Sequence, residues 1–262
     1  MHRRLLIRPG AIGDFVVSLP ALEALRGDWT EVWCGGQNAS LCRFAQSAYG
    51  LAAVGLDRLG LLPADDVVQR LRSFDSIVSW YGANNTSFQE YTRDYLKLNI
   101  TFLPALPGEK IHAVEFYRQQ ALGMGAVGVQ RTPRIACPAV PRTFAAIHPF
   151  ASGARKRAPL ELFEAAARRL ENSMPVRWLR GPEDILSGAV YVPDLYELAT
   201  WLGGARVYVG NDSGIAHLAA AAGTPVVALF PGGSARTWTP RGPAVTAIQP
   251  RRWNGATAPA CR

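Results

Sequence analysis

The chain has 262 residues, 48% of them hydrophobic and 18% charged, a composition that fits one large or two modest domains with real cores. Its net charge of +8 is uneven, with 14 Lys/Arg against 12 Asp/Glu in residues 1–140 and 14 against 8 in residues 141–262. Outside Arg155-Lys156-Arg157 the basic residues are scattered, without the aromatic-interleaved stripe that single strands require, so nucleic acid is excluded as the expected partner.

Taken in order, Arg4 to Arg8 reads as a first strand, Pro9 to Gly13 as a turn, and Asp14 to Arg26 as a helix with Pro20 inside it. Arg8-Pro9-Gly10 and Asp14 interrupt the opening apolar run, so no secretory leader is expected. Alternating strands and helices follow: Glu31–Cys34 (strand), Leu41–Ala48 (helix), Leu51–Leu56 (strand), Asp65–Arg72 (helix) and Ser76–Trp80 (strand). A polar helix near Thr86–Leu96, a short strand at Ile100–Leu103 and a helix at Ile111–Leu122 complete the first half. Gly123 to Pro141 reads as an interdomain linker, which predicts domains at 1–140 and 141–262.

The pattern then restarts. Phe144–His148 reads as a strand, Pro159–Leu170 as a helix, Val176–Leu179 as a strand and Leu195–Leu202 as a helix. Val207 to Phe230 spells strand, tight turn, helix, Gly223-Thr224-Pro225 stop and second strand. Ala244–Ile248 is a last strand and Pro250 to Arg262 a loose tail. Such alternation predicts an α/β fold with two parallel sheets, and ligands of open sheets bind beyond the strand C-termini. No apolar run approaches the ~18 residues of a membrane span, so membrane contact is expected to be peripheral. Cys34, Cys42, Cys137 and Cys261 form neither a C-x-x-C pair nor a His-flanked metal pattern, which predicts a reduced, cytoplasmic setting and no metal.

Several turns carry candidate chemistry, each with an ordinary alternative. In Asn211-Asp212-Ser213-Gly214-Ile215-Ala216-His217, Asn211 or Asp212 is placed to cap the helix, with Ser213 and Gly214 in its first turn. Unpaired N–H groups there suit a phosphate, and an ordinary capped core helix is the alternative. Asp14 stands where it either caps the first helix or projects as a carboxylate base. Ser152 and Lys156 follow the first strand of the second half, either as a diphosphate site or as a solvated basic loop. Glu183, in Gly181-Pro182-Glu183-Asp184, either accepts both hydroxyls of a ribose or decorates a turn. His217 either donates to a phosphate or is a satisfied, half-buried histidine. Gly10-Ala11-Ile12-Gly13-Asp14 is not G-x-G-x-x-G, which speaks against a nicotinamide enzyme.

Together, Gly13-Asp14-Phe15-Val16-Val17-Ser18-Leu19-Pro20-Ala21-Leu22, Lys156-Arg157 before Pro159-Leu160-Glu161-Leu162-Phe163, Gly181-Pro182-Glu183, and Gly210-Asn211-Asp212-Ser213-Gly214 with His217 resemble glycosyltransferase family 9, the ADP-heptose:lipopolysaccharide heptosyltransferases. The resemblance implies a GT-B architecture of two facing Rossmann-like domains with an interdomain cleft, acceptor on the first and nucleotide-sugar donor on the second. It implies a metal-independent, inverting transfer of a heptose-like sugar from an ADP-linked donor, with no cofactor, to a lipopolysaccharide or other glycan or glycolipid. The expected place is the cytoplasmic face of the inner membrane. Residue by residue, it makes Asp14 the general base. It puts Ser152, Lys156 and the backbone of Ser213, Gly214 and Ile215 on the diphosphate, Glu183 on the ribose, Asp212 on the donor sugar and His217 on the phosphate. The chain departs from the family pattern at Ala158, where a Trp is usual, at Pro231-Gly232-Gly233-Ser234 in place of Gly-Pro-Thr, and in a shortened C-terminus. Other readings are a noncatalytic nucleotide-sugar-binding module and a nucleotide-sugar epimerase of the same fold.

Overall fold

In β1 (Arg3–Arg8), Leu5, Leu6 and Ile7 are all buried although successive side chains point to opposite faces. A strand covered on both sides belongs inside a parallel sheet. The computed structural model describes residues 1–59, 65–232 and 234–249 and divides into two units, Met1–Gly108 with Glu115–Arg131, and Glu109–Val114 with Thr132–Arg262. The tail from Pro250, with Cys261, lies outside the described residues.

In the first unit β1 is followed by α1 (Ile12–Ala24), β2 (Trp29–Cys34), a 3₁₀ turn at Gly36–Leu41, β3 (Ser47–Gly50), α2 (Leu51–Val54), α3 (Asp65–Arg72) and β4 (Ser76–Ser79). Then come α4 (Thr86–Glu90), β5 (Ile100–Phe102) and α5 (Ala113–Gly123). The five strands pair in the order β3-β2-β1-β4-β5, all parallel. The second unit runs β6 (Phe144–His148), α6 (Leu160–Glu171), β7 (Val176–Trp178), α7 (Leu195–Gly203), β8 (Ala205–Asn211), α8 (Gly214–Ala221), β9 (Val226–Leu229), α9 (Ala235–Trp238) and β10 (Val245–Ile248). Its five strands pair in the order β10-β9-β8-β6-β7, again all parallel. Each sheet reverses its winding once, between β1 and β4 in the first and between β6 and β8 in the second. In open α/β sheets the crevice at such a reversal, outside the strand C-termini, is where ligands sit.

Between Leu41 and Leu56 the observed elements are the reverse of those the apolar pattern predicts. Ser47–Gly50 is an edge strand held by backbone pairing of Glu31 to Ser47 and Cys34 to Gly50, so it needs no apolar run. Leu51–Val54 is a single helical turn that delivers Val54, and just beyond it Leu56, to the core, and Gly55 ends it at φ 71°. Near Thr86–Leu96 the α-helix stops at Glu90 and continues as a wider π turn over Tyr91–Tyr95. α1 begins two residues before Asp14, with Ala11 as its N-cap and no side-chain cap.

The core of the first unit gathers Leu5, Ile7, Trp33, Leu56, Val67 and Ile77 around β1 and β4. Beside it Glu31, 4% exposed, accepts from Trp33 Nε1 at 2.6 Å, from Arg70 Nη2 at 2.6 Å and from Ser47 Oγ at 3.0 Å. One carboxylate thus ties β2, β3 and α3 together. Arg70→Ala strands this buried charge, and urea denaturation is expected to show a loss of about 2 kcal/mol or more, whereas an isosteric Glu31→Gln with Arg70 intact should cost less.

Candidate functional site

The turn after β1 is built on a cation. Arg8 is only 2% exposed, and its guanidinium donates to Pro9 O at 2.6 Å, Asp14 O at 2.9 Å, Tyr117 Oη at 2.7 Å and Ser18 Oγ at 3.2 Å. It also lies 4.8 Å from the centre of the Tyr117 ring. Burial pulls the Arg8 pKa down, while Tyr117 and Asp14 oppose that shift. The same burial pushes the Tyr117 phenol up to about 12, so it stays a neutral donor and gives its proton to Ala105 O at 2.6 Å.

Asp14 therefore sits in the first turn of α1, where the helix dipole favours a negative charge, and it is partly exposed. Gly10 adopts φ +121°, and a Cβ there would lie 3.1 Å from Asp14 Cβ and 3.5 Å from Asp14 Oδ2. The turn needs glycine both for its backbone and for the space the Asp14 side chain occupies.

In the second unit, β8 ends in a run that divides its tasks. Asn211, fully buried, accepts from Ala158 N at 2.9 Å through Oδ1 and donates to Pro149 O at 2.7 Å through Nδ2. It thereby fixes both ends of the 149–158 loop across the sheet reversal. Asp212 is 4% exposed, and its Oδ2 lies 2.8 Å from Lys156 Nζ, whose side chain is 42% exposed. Ser213, not Asn211 or Asp212, is the N-cap of α8: its Oγ accepts from Ala216 N. Gly214 and Ile215 occupy the first two helical positions, whose N–H groups have no partner within a helix. One turn on, His217 is 5% exposed, and burial, with His112 and Lys156 nearby, lowers its pKa to about 3. It is therefore neutral at pH 7. His148, at the end of β6, is likewise held neutral, its pKa lowered by burial to about 4.

The structure thus brings Lys156, Asp212, Ser213, Gly214, Ile215 and His217 together at one sheet end. Ser152 is exposed on the loop that carries Lys156. Glu183 is exposed beyond β7, in a turn closed by Asp184 Oδ2, which accepts from Gly181 N at 2.8 Å. Gly232 packs against this assembly so closely that a Cβ would clash with Arg155 O. The departure at Pro231-Gly232 therefore serves close backbone approach to the Lys156 loop. No group of three or more His, Cys, Asp or Glu side chains placed to hold a metal ion occurs among the described residues. Among them, too, no helix is long and apolar enough to cross a membrane.

Arg8, Tyr117 and Asn211 are structural partners that the sequence reading did not single out for these roles. Arg8 has a sequence signal, a charge directly after Leu5-Leu6-Ile7 and before Pro9-Gly10. Tyr117 has none, because it reaches Arg8 from a helix 109 residues away.

Residues 193–259, which contain β8, its turn and α8, match one family model. That family is glycosyltransferase family 9 (heptosyltransferase). Solved family 9 and heptosyltransferase structures have the same fold. The family 9 glycosyltransferase of Veillonella parvula is similar with a TM-score of 0.74 at 14% identity, over 97% of this chain and 88% of that one. ADP-heptose LPS heptosyltransferase II of E. coli gives 0.68 at 19% identity, over 97% and 91%. Heptosyltransferase WaaC of E. coli, solved with ADP, gives 0.66 at 16% identity, over 94% and 93%. No curated protein matches the chain significantly. The chain has the α/β fold of the GT-B heptosyltransferases.

The two buried imidazoles give a pH dependence of definite sign. His148 and His217 take up protons near 6.5 when unfolded but only near 4 and 3 when folded, so the unfolded chain binds more protons in between. Their contribution is complete above pH 6.5 and is lost as pH falls toward 4 and below. Thermal unfolding should show a midpoint that drops over this window, as the unfolding free energy falls by up to about 1.4 kcal/mol per pH unit for each histidine. His217→Gln is expected to flatten the slope whatever it does to stability at pH 7.

Proposed function

We propose that the chain is an inverting glycosyltransferase that moves a heptose-like sugar from an ADP-linked donor to a lipopolysaccharide or other cell-surface glycan or glycolipid acceptor. The observation that carries this reading is the Lys156–Asp212 pair at the start of α8. A mobile ammonium, a buried carboxylate and first-turn amides converge there, inside the segment that matches family 9.

In this reading Lys156, Ser152 and the amides of Ser213, Gly214 and Ile215 hold the diphosphate. His217 adds a neutral hydrogen bond, Glu183 accepts the ribose hydroxyls, and Asp212 accepts from the donor sugar. Asp14 takes the proton of the acceptor hydroxyl as that oxygen attacks the anomeric carbon on the face opposite the leaving group. The bond from that carbon to the diphosphate oxygen breaks, and its electron pair leaves with the nucleotide. Lys156 and the helix amides stabilise the charge that grows on the departing phosphate, a task that needs neither a cofactor nor a metal. The donor and the glycan acceptor are its substrates, and nucleic acid is not a partner. The proposed setting is cytoplasmic, with peripheral contact at the inner membrane, where a lipid-linked acceptor is reached.

Asp14→Asn is expected to leave ADP binding unchanged by titration calorimetry while sugar transfer falls about 10²-fold or more. Full activity in that variant would remove Asp14 from the chemistry. Lys156→Ala should weaken ADP binding about 10- to 100-fold, because a charge-assisted contact is lost. An unchanged isotherm would overturn the donor assignment.

A further inference from the structure

The first unit also holds a cavity of about 350 Å³ where β4 ends, lined by Trp80, Tyr81, Asn84, Asn85, Phe88 and Ala105 among others. Its lining comes from the segments that follow β4 and β5, and Trp80 N donates to Ile7 O of β1 at 2.9 Å. Its volume lies at the small end of ligand sites, suited to one or two sugar rings.

The walls are held in place before any ligand arrives. Phe88 meets Tyr81 edge-on at 5.5 Å and Phe102 at 6.1 Å. Gln89 Nε2 donates to Gly82 O at 3.1 Å and Ala83 O at 2.8 Å, Ser79 Oγ donates to Tyr81 O at 2.8 Å, and Trp80 Nε1 donates to Gln120 Oε1 at 2.8 Å. Asn85 Oδ1 caps α4 by accepting from Phe88 N at 3.0 Å. The Asn84 and Asn85 residues are exposed at the rim.

The chemistry of this lining is specific. Trp80 is only 1% exposed, so Tyr81 and Phe88, both partly exposed, supply the apolar surface for the C–H side of a pyranose, and the exposed Asn84 carboxamide can donate to and accept from its hydroxyls. Among the described residues that line the cavity there is no carboxylate, ammonium or guanidinium, so an anionic sugar would lose hydration there without a counter-charge. The cavity is also joined to the Asp14 turn. Arg8 Nη2 donates to both Asp14 O and Tyr117 Oη, and Tyr117 Oη donates to Ala105 O in the cavity wall.

We infer that this cavity is an acceptor subsite for an uncharged pyranose, and that it discriminates against phosphorylated and carboxylate-bearing sugars. The inference rests on the glycosyltransferase reading above and adds the acceptor's chemical class to it.

Saturation-transfer difference NMR on the full chain tests it, with methyl β-glucopyranoside and methyl β-galactopyranoside as neutral probes and glucuronate as the anionic one. At least one neutral glycoside should receive saturation while glucuronate does not. Asn84→Ala should weaken the neutral probe about three- to tenfold, and Asn84→Arg should bring in glucuronate. Both substitutions are at an exposed position, and circular dichroism with a thermal melt verifies that each variant is folded. No signal from either neutral glycoside, an equal signal from glucuronate, or a signal unchanged in Asn84→Ala and Asn84→Arg overturns the subsite. ADP titration of the same samples separates the two claims. Failure of the wild type to bind ADP counts against the donor reading, whereas ADP binding without a neutral-sugar signal counts against the subsite alone.

Discussion

The contact between Lys156 and Asp212 is the constraint around which the second unit is arranged. A carboxylate that is 4% exposed is costly unless a cation meets it, and the cation here comes from a loop more than fifty residues earlier in the chain. That loop stays within reach because Asn211, one residue before the acid, binds Pro149 O and Ala158 N. Charge compensation and loop anchoring are thus performed by adjacent side chains at the end of one strand. The Lys156 side chain remains 42% exposed, so its ammonium also meets solvent, whereas the acid beside it is buried.

The two units solve the same problem with opposite signs. At the reversal of the first sheet a buried cation, Arg8, lies beneath a partly exposed acid, Asp14. At the reversal of the second sheet a buried acid, Asp212, lies beneath a partly exposed cation, Lys156. Each arrangement presents one charge to solvent and fixes it with an inner partner, by way of its backbone in the first case and its side chain in the second. In the proposed transfer it is these outer charges that take the proton and hold the phosphate.

Much of this was legible in the amino-acid sequence, for physical reasons that differ along the chain. β1, β4, β6 and β8 announce themselves because buried parallel strands are continuous apolar runs. Ser47–Gly50 does not, since an edge strand depends on backbone pairing with β2 rather than on its own side chains. The turn at Asp212–Gly214 was readable as a helix start, but its cap was not: Ser213, Asp212 and Asn211 are all good capping residues, and only the fold shows Asn211 and Asp212 engaged elsewhere. Likewise the Lys156–Asp212 and Arg8–Tyr117 contacts join residues 56 and 109 positions apart, and no local pattern encodes such pairs.

Arg8 has no carboxylate side chain in its hydrogen-bond shell; carbonyls, a serine hydroxyl and a phenol satisfy it. Its charge is therefore met directly by neutral dipoles, with the Asp14 charge acting on it only at longer range. A lysine, with three donors on a single atom, cannot span the same four acceptors, so the planar fork itself is what shapes the loop. The turn that carries Asp14 therefore rests on a buried cation hydrogen-bonded to neutral dipoles alone.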